Sequence, residues 1–520
     1  MNINTYLKQK LAEKNIQVDT LISASGSSKS TIYRVMNGLQ MPSNDLKERL
    51  INILDLTSLE QKELSYYFST ANLDNNVIKA RQAVFDFLFA SKTNLPNKIE
   101  LVYYDEEKYI RSFDTILENI VNMSIKDDFS CQMKLINCIN DDVILPLSAT
   151  IEQLSLPKCD YMVEHLVNFS SYDHKENVET LAHIIPLLTL ENYILKYHEE
   201  EKVANYGFFH DFLMIKYRYR ESNNKPTVVN LYISFLPNRL STCYVIYEDD
   251  KNVLDFFERN YNSLLQNYQP ALSSRKGFMD YVSSISDMYM NFEVSIFRPH
   301  IPLSHVPLSV YESVLKRTPV DKFISCFPQD ELKKLELAQI RQSPKNLLSY
   351  QGKMHTPSHL GKEDIEAQVN ALLSLAQSVI GSTYHYKQLD LYTKSGLESF
   401  AATGIILDHL DILPPFNKEE ITAILQNLKS RDADPEDPFL FYITEQSYVD
   451  NAMDITTMDN GCLLIERYID TRTPYCVIEH KKLSSIFADF ANHYVPAMIA
   501  IPQEEAYAFI DYLIETYGKS

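Results

Sequence analysis

The chain has 520 residues, 45% of them hydrophobic, and a formal net charge of −20. This length exceeds what one hydrophobic core usually organises, and this composition excludes a disordered protein, so we expect several folded domains. The negative charge excludes a protein that coats nucleic acid nonspecifically, because binding to phosphates needs an excess of Lys and Arg.

The sequence shows no sign of a targeting segment or a membrane anchor. Residues 1–15 are polar and of mixed charge, without the apolar stretch of a secretion signal. Apolar runs such as 494–501 are far shorter than the roughly 20 residues needed to cross a bilayer. The seven cysteines are an odd number without a Cys-x-x-Cys pair, as expected of reduced thiols. The sequence therefore predicts a cytoplasmic protein that makes no membrane contact.

Charge is spread unevenly along the chain. Residues 1–57 carry seven basic and five acidic side chains, so this segment is about +2 and the remainder about −22. A mildly basic head on an acidic body favours local docking on DNA by one face, while the body is repelled from it.

Residues 3–64 have the pattern of five short helices, with apolar positions three or four residues apart. The fourth helix starts with Ser43 as its N-cap, and Thr57-x-x-Glu60 is a capping box for the fifth. Because the apolar stripes of these helices can meet in one small core, residues 1–68 are predicted to form a compact all-α domain.

The segment 21–43, LISASGSSKSTIYRVMNGLQMPS, combines several residues at fixed spacing. Gly26 stands where a chain leaving one helix turns through a backbone conformation that is costly for residues with a Cβ. Ser28 then caps the next helix, and a second Gly and Pro42 follow. This pattern resembles the lambda-repressor-like family, also called the xenobiotic-response-element (XRE) family of helix-turn-helix transcriptional regulators. The resemblance covers residues 3–65 only.

The resemblance implies that the third helix lies in the major groove of double-stranded DNA. The side chains that it places at the bases are Lys29, Ser30, Tyr33 and Arg34. The side chains that it places at phosphates are Gln17, Ser28 and Asn37. The loop LQMP after Gly38 lacks the basic residues often found there, so useful affinity is expected to need a homodimer. The alternative is a solvated helix face, which the combined Gly, Ser, Ile and Pro spacings disfavour.

Beyond the head the pattern changes twice. Residues 69–203 are dominated by helical patterns and are predicted to form a mainly helical connecting region. In residues 204–520, β-rich runs such as FLMIKYRY (212–219) and VVNLYISF (228–235) alternate with amphipathic helices. This alternation predicts an α/β body that senses an effector or dimerises. The expected fold class is therefore multidomain, with an all-α helix-turn-helix head, a helical connector and an α/β C-terminal body.

A weak repeat lies within this region. An apolar strand, an acidic or polar turn and a helix rich in Phe and Tyr recur from Val102, Val245 and Cys476. The repeat predicts two related halves packed about a pseudo-twofold axis, with the polar stretch 329–364 as the hinge between them. The unit resembles the phospholipase-D-like sensor domain of some sugar-responsive regulators, a likeness that implies no residue role here.

Motifs for nucleotide or phosphodiester chemistry are absent or incomplete. No two glycines have the spacing of a dinucleotide-binding turn, a hydrolase elbow or a P-loop. His480-Lys481-Lys482 lacks the Asp of a His-x-Lys phosphodiesterase motif, because Phe487 stands in its place. We interpret this stretch as a solvated strand end.

A zinc site is also considered and disfavoured. His355, His359 and Glu363 could lie on one helical face as ligands. Pro357 and Gly361 interrupt such a helix, so a polar loop is favoured. No metal and no cofactor are predicted.

Two further histidines, His300 and His305, lie in an apolar PHIPLSHVPL stretch and are predicted to be structural. The sequence thus predicts no catalytic residue and favours a regulator that binds a palindromic operator as a homodimer. Its body is expected to respond to a small molecule or peptide. The alternative is an enzyme or defence effector with an accessory helix-turn-helix domain.

Overall fold

The computed structural model describes most of the chain. The described residues are 3–37, 39–40, 42–70, 73–90, 100–103, 112–155, 159–170, 173–188, 190, 192–200, 211–220, 226–236, 239–247, 250–273, 292–302, 305–317, 386–406, 413–468 and 475–518.

The N-terminal part is helical, and its third, fourth and fifth helices begin at the predicted caps. The five helices are α1 (Ile3–Glu13), α2 (Val18–Ser25), α3 (Lys29–Met36), α4 (Asn44–Ile53) and α5 (Ser58–Thr70). Ser43 caps α4, its hydroxyl accepting the Leu46 amide at 3.2 Å. Thr57 and Glu60 form the predicted reciprocal pair before α5, with distances of 2.9 and 3.3 Å between each backbone nitrogen and the other residue's side-chain oxygen.

These five helices share one apolar core. Tyr6 and Leu7 of α1, Leu21 of α2, Ile32 of α3 and Leu50 of α4 are each about 1% exposed within it. Each helix therefore packs against the core with its apolar face. This packing fixes the rotation of the helix about its axis and leaves its polar face in solvent.

The helix α6 (Asn75–Phe89) leads into a mixed sheet of eight strands in the order β1-β7-β6-β5-β2-β3-β4-β8. The strands are β1 (Glu100–Tyr103), β2 (Ser130–Ile136), β3 (Asp160–Ser170), β4 (Tyr193–Glu200), β5 (Phe212–Arg220), β6 (Pro226–Leu236), β7 (Arg239–Tyr247) and β8 (Gln269–Pro270). The helices between them are α7 (Phe113–Ser124), α8 (Asp141–Ser155), α9 (His174–Leu188) and α10 (Lys251–Leu265).

A second mixed sheet has seven strands in the order β12-β11-β10-β13-β14-β15-β9. The strands are β9 (Leu272–Ser273), β10 (Val294–Phe297), β11 (Gln388–Thr393), β12 (Phe439–Thr444), β13 (Met453–Met458), β14 (Cys462–Arg467) and β15 (Tyr475–Glu479). The helices described with it are α11 (Leu308–Arg317), α12 (Lys394–Thr403), α13 (Lys418–Ala433), α14 (Lys481–Asp489) and α15 (Gln503–Leu513). The segment Phe490–Ile499, directly after α14, and Ile514–Gly518, after α15, are π-helical.

The two sheets have matching strand orders. In each, three parallel strands (β4-β3-β2 and β12-β11-β10) are followed by three antiparallel ones (β5-β6-β7 and β13-β14-β15). Val245 and Cys476, at which two copies of the repeat start, lie in the matching strands β7 and β15, each followed by a helix. Val102, at the third copy, lies in the edge strand β1.

The first sheet departs from the predicted domain boundaries. Strands β1–β4 come from residues 69–203, predicted to be mainly helical, and β5–β8 come from the residues after them. The boundary at 203/204 therefore falls inside one sheet. Strands from both sides of it pair directly, for example Ser130 of β2 with Arg218 of β5.

The chain does not cross from one sheet to the other at the predicted hinge. Residues 329–364 lie outside the described residues, and β10 and β11 on either side of them belong to the same sheet. The chain passes from the first sheet to the second between β8 and β9. Over the part of the chain that the structure describes, the helices are too short or too polar for any to traverse a bilayer.

Candidate nucleic-acid interface

The turn between α2 and α3 is built around a glycine and an arginine. Gly26 has φ +62°, in the left-handed region, and a Cβ there would lie 3.2 Å from Nη1 of Arg49. Arg49, on α4, donates from that same nitrogen to the carbonyl oxygen of Ser25 at 2.6 Å. A carbonyl at the end of α2 thereby gains a partner, as helix C-termini require. The glycine expected from the sequence at this turn is thus confirmed.

The third helix starts at the predicted cap. The Ser28 hydroxyl accepts the Thr31 amide at 3.1 Å and lies 2.8 Å from the Thr31 hydroxyl. Behind this cap, Ile32, Val35 and Met36 are buried in the head core. Cap and core together fix where α3 begins and which face it turns outward.

All seven side chains that the sequence places at DNA are exposed to solvent. They are Gln17, Ser28, Lys29, Ser30, Tyr33, Arg34 and Asn37. Four of them lie on the face of α3 opposite its buried residues, and Ser28 and Asn37 are its two caps. Gln17 stands apart, immediately before α2. Among the described residues, neither sheet covers this face.

The starts of α2 and α3 lie side by side. Nζ of Lys29 is 3.9 Å from Oδ1 of Asp19, and 5.8 Å from the ring centre of Tyr33. Lys29 therefore carries its positive charge at the N-terminal, positive dipole end of α3, next to a carboxylate from the first turn of α2. The carboxylate of Asp19 opposes the positive charge of Lys29. The sequence gives no sign that Asp19 would affect DNA binding, because its distance from Lys29 is known only from the fold.

Leu39 is a second residue that the sequence analysis passed over. It is 71% exposed, and its amide donates to the Arg34 carbonyl at 2.7 Å, so it lies directly beyond the end of α3. Its apolar side chain is thus in solvent next to the polar face of α3. In the sequence, Leu39 is distinguished only by its position at the start of the LQMP loop, directly after the third helix.

The histidine His305 lies inside a buried polar network. Its Nε2 lies 2.9 Å from Oδ2 of Asp390, and its Nδ1 lies 2.9 Å from a guanidinium nitrogen of Arg431. Burial lowers the pKa of His305 below its usual value. This arrangement agrees with the structural role predicted for it. His300, also buried, lies 3.8 Å from Asp454.

His480 differs from its interpretation as a solvated strand end. It is 2% exposed, its Nδ1 accepts the Leu483 amide at 3.0 Å as the N-cap of α14, and burial lowers its pKa. The ring packs 5.2 Å from that of Phe169. Phe169 comes from the first sheet, far away in sequence, and so gives no local signal.

No group of His, Cys, Asp and Glu in the described ranges has the geometry of a metal site. His355, His359 and Glu363 lie outside those ranges. Comparison with known proteins gives no matching family model and no similar curated protein.

Proposed function

We propose that this protein is a sequence-specific DNA-binding transcriptional regulator, whose head, residues 1–68, is a helix-turn-helix domain of the XRE type. The observation that carries the proposal is the two-faced character of α3. Ile32 and Val35 are buried, while Lys29 and Arg34 reach solvent from a helix entered through a left-handed glycine. A short capped helix that exposes Lys29 at its start and Arg34 in its last turn suits the major groove.

Each exposed side chain has a stated role in this proposal. Lys29 and Arg34 donate to O6 and N7 of guanine, and Ser30 makes a less discriminating contact. Tyr33 and Leu39 offer apolar contact to a thymine methyl or a sugar. The side chains for phosphates are Gln17, Ser28 and Asn37.

A single head brings few cations to the phosphates, so we propose that a homodimer binds a palindromic operator. Half-sites one DNA turn apart, roughly 34–36 Å, suit a twofold dimer. The body is proposed to hold the dimer together and to respond to a small molecule or peptide. The matching strand orders of its two sheets support two related halves, and the proposal places the protein in the cytoplasm.

Selection of binding sites from a random duplex library by the full chain tests this function. We expect an enriched palindrome. Arg34→Ala should relax the preference at one base pair in each half-site, because one bidentate contact is worth about 1–3 kcal/mol of discrimination. Arg259→Ala, which removes another exposed arginine, from α10, is the matched control and should bind like the parent.

Two outcomes would contradict the proposal. One is a library without any enriched sequence. The other is an Arg34→Ala variant that binds as tightly and as selectively as the parent. Because Arg34 is exposed, its replacement should leave the melting temperature of the protein almost unchanged.

A further inference from the structure

One continuous helix links the two sheets to the head. It consists of α14 and the π-helical segment Phe490–Ile499, and we call it the connecting helix (Lys481–Ile499). Segments of π-helix of this length are rare and occur often at functional sites. The contacts at its two ends show what this helix joins.

Its N-terminal end lies against the first sheet. The Tyr197 hydroxyl, from β4, accepts the Glu479 amide at 2.9 Å and donates to the Glu479 carbonyl oxygen at 3.2 Å. Nζ of Lys482 lies 3.1 Å from a carboxylate oxygen of Glu199, also on β4. The helix therefore starts where the two sheets meet.

Its middle and its C-terminal part lie against α5 and α6. Arg81 of α6 donates to both carboxylate oxygens of Asp489, at 2.6 and 2.9 Å, and to the Tyr66 hydroxyl at 3.2 Å. The Arg81 side chain is only 5% exposed. Tyr66 also meets the ring of Tyr494 edge-on at 5.3 Å, and Lys62 donates to the Ala500 carbonyl at 3.2 Å.

The helix α5 belongs to the head as well. Its Leu64 is fully buried in the head core, and its Tyr67 packs 5.0 Å from Tyr6 of α1. One helix thus carries the head core on one side and the connecting helix on the other. A head docked in this way holds a defined position relative to the sheets.

We propose that Arg81 and Asp489 are positioning residues for DNA binding: they hold each head on the connecting helix and so fix the distance between the two α3 faces of a dimer. The inference rests on the proposed function. A docked head accepts one spacing of half-sites, because a head in the wrong place cannot engage when its partner is bound. An undocked head reaches several spacings and binds each more weakly.

The test measures the affinity of the full chain for a series of operators whose half-sites are moved apart by single base pairs. The parent should bind one spacing best. Arg81→Gln and the milder Asp489→Asn should flatten this profile and weaken binding at the best spacing by about tenfold. Their affinity for an isolated half-site should stay at the parental value, which a merely misfolded head would not achieve.

The pair should also behave as a unit. The double variant Arg81→Gln with Asp489→Asn should show the same profile as Arg81→Gln alone, because Arg81→Gln already removes the ion pair with Asp489. Arg259→Gln, on the exposed face of α10, is the control and should keep the parental profile. A parental profile in both Arg81→Gln and Asp489→Asn would overturn the proposal.

Hydrogen exchange separates this inference from the proposed function. In Asp489→Asn, the amides of α5 and of Phe490–Ile499 should exchange faster together, with those of α2 and α4 unchanged. If the parent enriches no DNA sequence, the proposed function fails and the positioning role fails with it, although coupled exchange would still support docking of the head. If DNA binds but exchange in α5 stays parental in both single variants, the positioning role alone is overturned.

Discussion

Charged side chains of both signs surround the start of α3. Lys29 lies within 3.9 Å of Asp19, and both side chains are largely exposed. A phosphate that approached Lys29 would therefore also meet the carboxylate of Asp19. An ion pair between two exposed side chains contributes little to the stability of the fold. Its main effect should therefore be on the binding of a polyanion such as DNA.

Replacing Asp19 by Asn should strengthen DNA binding while slightly weakening the fold. The carboxylate repels phosphate and competes for Lys29, so its removal should raise affinity about two- to fivefold at low salt, and less at high salt. The same carboxylate lies in the first turn of α2, where a negative charge interacts favourably with the helix dipole. Its removal should therefore lower the melting temperature a little. Affinity measured over a range of salt concentrations, with thermal unfolding alongside, checks both signs.

Asp55→Asn is the control for this change. Asp55 is an exposed acidic residue of the head with φ +46°, a conformation that Asn also tolerates. Its backbone carbonyl accepts a hydrogen bond from Lys14, and the substitution keeps that carbonyl. It should leave DNA affinity close to the parental value. A weaker complex for Asp19→Asn would show that Asp19 contributes a favourable contact instead.

The residues around α3 show what sequence alone can predict at this scale. Gly26 and Ser28 act through their own backbone neighbourhood, so their conformations follow from local spacing and are confirmed. The burial of His480 depends on Phe169, more than three hundred residues away. The relevance of Asp19 depends on how α2 crosses α3. Neither has a local signal in the sequence.

At the scale of elements, one carboxylate ties the start of α5 to α1. Glu60 accepts from Nζ of Lys10 at 2.9 Å and from the Thr57 amide at 2.9 Å, and Lys14 lies 3.5 Å away. The hydrogen bond from Lys10, followed by that from Thr57, lowers the pKa of Glu60 from 4.5 to about 2. The capping box thus also serves as an ion pair between two helices.

This shift predicts how the head responds to acid. A carboxyl group whose pKa is lower in the folded state stabilises the fold at pH values above its unfolded pKa, and the contribution is lost as the group becomes protonated. For Glu60 the loss should run from about pH 4.5 down to about pH 2. Glu60→Gln should lower the stability of the head at pH 7 and flatten its decline over this window.

Thermal unfolding followed by probes in α1 and α5 checks the expectation. Glu48→Gln, an exposed carboxylate on α4, is the control and should leave the decline as steep as in the parent. An equally steep decline in Glu60→Gln would show that other carboxylates govern the acid response.

Elements that depend on distant pairing were harder to predict. The stretch 175–201 has a continuous amphipathic pattern, yet the structure ends α9 at Leu188 and begins β4 at Tyr193. Tyr193 pairs with Val163 of β3, and a short apolar run cannot be assigned to a strand or a helix from its periodicity alone. Helices with local caps were predictable, and the repeat predicted a strand at Val102 in β1, whereas strands β2–β4 were not predicted.

At the scale of the whole molecule, one apolar core joins both sheets. It contains Leu135 and Val163 of the first sheet, Ile455 and Ile465 of the second, and Phe487 of α14. A core shared by both sheets has no local signal in the sequence, so the predicted boundary at 203/204 does not follow the sheets. The hinge was predicted at 329–364 because this stretch is polar. The chain instead passes from the first sheet to the second at residues 270–272, in a short connection.

Phe487 is one of the large side chains of this shared core. It is fully buried, with its ring 5.8 Å from that of Phe87 in α6 and 5.9 Å from that of Phe297 in β10. Phe487→Ala should lower the free energy of unfolding by about 3–5 kcal/mol, through lost transfer energy and the cavity left behind. Because the core is continuous, we expect the two sheets to lose stability together.

Hydrogen exchange resolved by strand tests this expectation, with Phe441→Ala as the contrast. Phe441 is also fully buried, but it belongs to a separate cluster between the second sheet and α13. Phe441→Ala should accelerate exchange in β11 and β12 more than in β2 and β3, whereas Phe487→Ala should accelerate all four strands. If Phe487→Ala left β2 and β3 at their parental rates, the two sheets would be independent folding units despite their shared core.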